Sequence, residues 1–117
     1  MAGADSRDAV TIAQLIRVCQ DIGTFIAGLD RETFFTTPVV LSAVCFKLAV
    51  LGEAAMRLSE TLTRNTLHIP WADIRGMRNR LVHGYDRVDL SEVWKTARAD
   101  VPVLLRQLTT IQNRPSA

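Results

Sequence analysis

The chain has 117 residues, 48% of them hydrophobic, and a formal net charge of +2 at pH 7, which suffices for one core and is too short for two. So small a basic excess does not announce a general nucleic-acid binder. Two isolated cysteines, Cys19 and Cys45, exclude a CxxC metal site and a disulfide framework; both read as reduced core residues. The apolar fraction leaves surface for a partner, so an oligomer is expected.

Asp5 or Ser6 is the expected cap of a first helix running to about Ala27, along which Ile12, Leu15, Cys19, Ile22, Ile26 and Leu29 recur at helical steps. Gly28 lies near its end, and Asp30 then offers a cap for a short turn from Arg31 to Phe35. Thr37-Pro38 starts a second long helix, because threonine can accept free N–H groups while proline at the first helical position has none to satisfy. Leu41, Val44, Leu48, Leu51, Ala55, Leu58 and Leu62 keep one 3-4 spacing, which predicts the central packing helix. Thr61 to His68 is polar and aperiodic and reads as a loop or one short turn, with His68 on the surface.

Ile69-Pro70-Trp71 opens a third helix with Asp73 in its first turn, where a negative charge meets the positive end of the helix dipole. Ile74, Met77, Leu81 and Val82 form its expected inward face, and Gly84 ends it after His83. Asp89-Leu90-Ser91-Glu92 resembles a capping box for a fourth long helix, lined by Val93, Ala97, Val101, Leu104, Leu108 and Ile111 and kinked at Pro102. Residues 113–117 read as a frayed tail. The expected fold is all-α, one domain over residues 1–117, an up-down bundle of about four main helices plus short helical turns. Met1 to Ser6 lacks an apolar leader pattern, and the apolar stretch Val39 to Leu51 is interrupted by Ser42 and Lys47. A cytoplasmic protein that does not enter the membrane is therefore expected.

The chemistry concentrates in Arg78-Asn79-Arg80-Leu81-Val82-His83-Gly84-Tyr85, which brings a permanent cation, an imidazole and a phenol within two helical turns. Spacing alone is weak evidence, since the chain holds 12 arginines. Context adds to it: Arg75, Arg78, Arg80 and Arg87 crowd this segment against Asp86 alone, and Arg75, Arg80 and Arg87 suit bidentate phosphate contacts. Asn79 lies four residues before His83 and can orient its ring. Arg78 and His83, five apart, are separated by about 140° around a straight helix. They meet only if the helix end distorts or a second chain supplies one of them. In Leu51-Gly52-Glu53-Ala54-Ala55 the small neighbours would allow a close approach of Glu53 to an arginine of the motif, although spacing alone favours a solvated face residue.

The stretch Ile69 to Tyr85, followed by Val88-Asp89-Leu90 and Val93-Trp94, closely resembles the HepT-type toxins of the HEPN superfamily, as do Leu51 to Ala55 and Asp100-Val101-Pro102. The resemblance implies an all-helical homodimer, a metal-independent ribonuclease without a cofactor, paired with a small nucleotidyltransferase antitoxin. The family signature of Arg, four residues, His, any residue and Tyr falls on Arg78, His83 and Tyr85. It implies that Arg78 and His83 catalyse RNA cleavage to 2′,3′-cyclic phosphate ends, that Asn79 and Glu53 support them, and that Tyr85 receives AMP from the antitoxin. The alternative is a catalytically silent relative that binds nucleotide or nucleic acid beside a nucleotidyltransferase.

Overall fold

The apolar repeats assemble around one long helix. In the computed structural model, which describes residues 4–114 with side chains from Arg7 onward and only the backbone at Tyr85, helix α3 spans Pro38–Ala55 and carries that central role. Before it come α1, Ala4–Ile26, and the short α2, Arg31–Phe35; after it come α4, Glu60–Arg64, and α5, Trp71–His83. A 3-10 turn at Tyr85–Arg87 leads to α6, Leu90–Lys95, then a π-helical turn at Thr96–Asp100, and α7, Val101–Gln112. Among the described residues there is no strand, and the fold is all-α as expected.

Helix α1 packs on α3 and α7, and α5 packs on the other flank of α3. Leu15, Ile22, Val44, Leu48, Leu51 and Leu108 are fully buried where these faces meet, each contributing roughly 1.5–3 kcal/mol of transfer free energy. Arg7–Ile26 and Pro38–Ala55 are long and apolar enough to cross a membrane by length and composition; here their buried stripes make the core. Phe34 of α2 is buried with its ring 5.1 Å from that of Trp94, which pins α6 to α2.

Several local expectations change. The backbone is already helical at Ala4, upstream of the expected caps, and the side chains of Asp5 and Ser6 lie outside the described residues. Thr37 accepts no capping bond; its hydroxyl donates instead to the Thr33 carbonyl at 2.6 Å. The long leucine seam is not one helix. It breaks after Ala55 because Ser59 caps α4, accepting from the Leu62 N–H at 3.1 Å. The Ser59 N–H and hydroxyl in turn donate to the Asp8 carboxylate of α1 at 2.9 and 2.6 Å. The expected loop 61–68 thus begins inside α4. It ends on Thr66, fully buried, which accepts from the Trp71 indole N–H at 2.9 Å and donates to the Leu62 carbonyl at 2.7 Å.

Asp30 and Asp89 do cap α2 and α6, accepting from the N–H groups of Thr33 and Ser91 at 2.8 and 2.9 Å. Val82, expected inside, is 51% exposed: it lies about 100° around α5 from Leu81 and faces past α3. At Pro102 the kink takes the form of the π-helical turn. The Val101 N–H reaches back five residues to the Thr96 carbonyl, and Pro102, with no N–H, lets the register shift without losing a donor. Asn113 closes α7, and residues 115–117 of the expected tail lie outside the described residues.

Candidate active site

Gly52 decides how near α5 can come to α3. A Cβ at this position would lie 2.7 Å from the Ile74 carbonyl oxygen and 2.8 Å from the Arg78 Cβ, closer than atoms can approach without moving a backbone. With hydrogen there instead, the start of the Arg78 side chain rests on the α3 main chain. The next residue, Glu53, is then within reach, and the Arg78 Nε forms an ion pair with Glu53 Oε1 at 3.0 Å. The Arg78 Nη1 donates to Asn79 Oδ1 at 3.2 Å. A half-exposed pair of this kind adds only about 0–1 kcal/mol to stability; its effect is to fix the guanidinium plane. Among the described residues the Nη2 donors keep no protein partner, which leaves them for a phosphate oxygen.

The clamp sits on one wall of a shallow groove of about 340 Å³ with Val50, Arg57 and Val82, and the Arg57 Nη2 donates in turn to the side-chain Gln14 Oε1 at 2.9 Å. Leading to it along α3 is an uncovered apolar stripe at heptad spacing, with Val39 80% and Phe46 65% exposed. This continuation was missed in the sequence, although the seven-residue steps Val39, Phe46, Glu53 carry its signal.

His83 is the last residue of α5 and is exposed. Gly84 follows with φ −132° and ψ 32°, and a Cβ there would sit a tight 3.2 Å from the Arg80 carbonyl oxygen. Helix α5 is unbroken from Arg78 to His83, so the two are separated by about 140° around it. Among the described residues no hydrogen bond joins them. Asn79 is bonded to Arg78 rather than to the imidazole, because the neighbouring guanidinium offers a charged donor in reach. The Tyr85 side chain lies outside the described residues; its backbone opens the 3-10 turn after Gly84.

The remaining arginines diverge. Arg75 is half-buried on α5. Arg80 and Arg87 line a different cavity, of about 590 Å³, between α5 and α6. His68 is exposed and borders, with Asp73 and Asp100, a groove that adjoins this cavity and shares Met77, Arg80, Glu92 and Thr96 with it. Among the described residues no group of three His, Cys, Asp or Glu side chains is placed to hold a metal ion. Cys19 and Cys45 are free and buried, and burial pushes the Cys19 thiol up to about 12.

Residues 15–111 match the family model described as ribonuclease HepT-like. A candidate RNase of Methanocaldococcus jannaschii is 31% identical over 97 residues, covering 83% of this chain and 84% of that protein. A candidate RNase of Caldanaerobacter subterraneus is 28% identical over 86% of this chain and 89% of its own. A ribonuclease HepT candidate of Thermococcus cleftensis is 31% identical over 80% and 82%. No solved structure gives a significant match. Matched over residues 15–111 by that family model and over most of its length by a relative 31% identical, this chain belongs to the HepT-like ribonuclease family.

Proposed function

We propose that the protein is a metal-independent endoribonuclease that works as a homodimer and serves as the toxin of a toxin–antitoxin pair in the cytoplasm. The observation that carries this reading is the Arg78 guanidinium, fixed by Glu53 and Asn79 beside an uncovered apolar stripe. A second copy seated on that stripe buries Val39 and Phe46 and brings its own helix end, with His83, opposite Arg78. The helical angle that separates the two residues in one copy is then no obstacle.

The chemistry follows from the side chains. His83 takes the proton of a ribose 2′-hydroxyl as the oxygen attacks the adjacent phosphorus, and Arg78 stabilises the charge that builds on the phosphorane oxygens. The bond to the 5′-oxygen breaks, that oxygen takes up the proton returned by the His83 imidazolium, and the products are a 2′,3′-cyclic phosphate and a 5′-hydroxyl. Incubation with RNA and a chelator should give these ends, and Arg78→Ala or His83→Ala should each slow cleavage by about 10²- to 10⁴-fold. Equal cleavage by the wild type and His83→Ala would refute the assignment. Mixing the two variants should restore about one quarter of wild-type activity, since half of the dimers are mixed and each has one intact site. No restoration would place both groups of a site in one copy.

Regulation falls on Tyr85. A small nucleotidyltransferase antitoxin would direct the phenol oxygen onto the α-phosphorus of ATP, releasing pyrophosphate and a proton and leaving an AMP group two residues beyond His83. Its negative charge would repel RNA from the cleft. Mass spectrometry after incubation with such a partner and ATP should locate the adduct on Tyr85; an adduct on another residue overturns this role.

A further inference from the structure

The cavity on the opposite side of α5 from the Arg78 groove has an origin and a lining of its own. Helix α5 is drawn onto α3 by Gly52, while α6 is drawn onto α2 by the stacking of Trp94 on Phe34. The space left between α5 and α6 measures about 590 Å³, inside the roughly 300–1,000 Å³ range of small-molecule sites. Its floor is apolar, built of Leu48, Met77, Leu81 and Val93, all buried. Its rim is charged and carries both signs, with Arg80, Arg87, Asp89 and Glu92 all exposed. Among the described residues Arg80, Arg87 and Glu92 enter no ion pair, and Asp89 spends one oxygen on the Ser91 N–H. Gly84, the residue after His83, forms part of the wall.

We propose that this cavity holds a single nucleotide of the RNA strand next to the cleaved position and selects bases that carry an exocyclic amino group. The inference rests on the ribonuclease reading for its strand. A flat base lies on the aliphatic floor, its phosphate meets Arg80 and Arg87, and the carboxylates of Glu92 and Asp89 accept from its amino N–H. Uracil presents a carbonyl oxygen where cytosine presents the amino group, so the same carboxylates repel it. Gly84 in the wall follows His83 directly in the chain, which sets the bound nucleotide near the reacting phosphate.

The test uses the cleavage-defective His83→Ala protein and short 2′-deoxy oligonucleotides, which cannot be cut. Oligodeoxycytidine should bind on the order of 10-fold more tightly than oligodeoxyuridine. Glu92→Gln should remove that preference, and Arg87→Ala should weaken both ligands alike. The Met77 methyl resonance reports on the cavity floor without any further substitution and should shift as cytidine strands bind. Equal binding of the two strands, or a silent Met77 methyl while strands bind, overturns the proposal. If wild-type protein cleaves RNA but the methyl stays silent, the cavity assignment falls and the ribonuclease reading stands. If strands bind with a Glu92-dependent preference and wild-type protein cleaves nothing, the reverse holds.

Discussion

Gly52 is where a missing side chain sets the geometry of a functional one. The obstruction that Gly52→Ala creates is partly backbone, the Ile74 carbonyl, so α5 must shift rather than a side chain rotate. Overpacking of this kind costs about 1–3 kcal/mol. Thermal unfolding should show a melting point several degrees lower, and cleavage should fall further than the stability loss explains because Arg78 moves with its helix. Glu53→Ala separates the effects: an exposed pair contributes little to stability, so the melting point should hold while cleavage drops about tenfold. Unchanged cleavage in Glu53→Ala would remove the clamp from the mechanism. The small residues around Glu53 made a close approach readable in the sequence, but spacing could not say which arginine would face it. The i,i+4 rule put Asn79 beside His83 and could not show that its nearer neighbour, Arg78, would take its carbonyl oxygen. The two thiols offer a check of a different sort. Burial raises the Cys19 thiol from 9.0 to about 12 and raises Cys45 as well. Folding therefore holds these protons more tightly, and the stability this contributes is complete below pH 9 and is lost as the pH climbs toward 12. Near pH 8, about the range where thiol alkylation is run, both cysteines should resist iodoacetamide until the protein is denatured. Fast labelling of either in the native protein would contradict the burial.

The elements of the bundle were largely legible because each long helix carries its own 3-4 stripe, and those stripes meet in one core. The exception is instructive. Leu58 and Leu62 continue the repeat of α3 in phase, so periodicity ran straight through the break after Ala55. What ends the helix is a contact from 51 residues away, the Asp8 carboxylate on Ser59, and no local pattern encodes it. Ser59→Ala should remove both that partner and the cap of α4, costing about 1–2 kcal/mol in denaturant unfolding. Because the two side chains act as one unit, Asp8→Ala combined with Ser59→Ala should cost clearly less than the sum of the singles. Strict additivity would show that the bond across α1 and α4 carries no energy. Helix α2 responds to acid in a related way. The Thr33 N–H holds the Asp30 carboxyl below its usual range, so its capping contribution is present above the ordinary carboxylate pKa and is lost as the pH falls through the lowered value.

For the whole molecule, the uncovered stripe of α3 and the angle between Arg78 and His83 make one argument for assembly. Phe46→Asp places a charge in the middle of that stripe without touching the core, since Phe46 is 65% exposed. Light scattering should then show a monomer of unchanged helicity, and RNA cleavage should disappear. An active monomer would show that one copy is sufficient. The sequence announced the angular problem but not the surface that answers it, because an exposed stripe and a buried one share the same period and only packing tells them apart. The π-helical turn at Thr96–Asp100 also acts at this scale, as a phase corrector. Val93, Ala97 and Val101 are spaced by four, a step that drifts about 40° per interval in an α-helix, and the widened turn takes that drift back so that Leu104 and Leu108 still reach the core. Removing a single residue from this turn would let it close to an ordinary α-helical turn with α7 in nearly the same phase, because the π-helical turn holds one residue more than the turn it replaces. The stretch between residues 96 and 100 is thus a place where the bundle absorbs one residue without repacking its leucines.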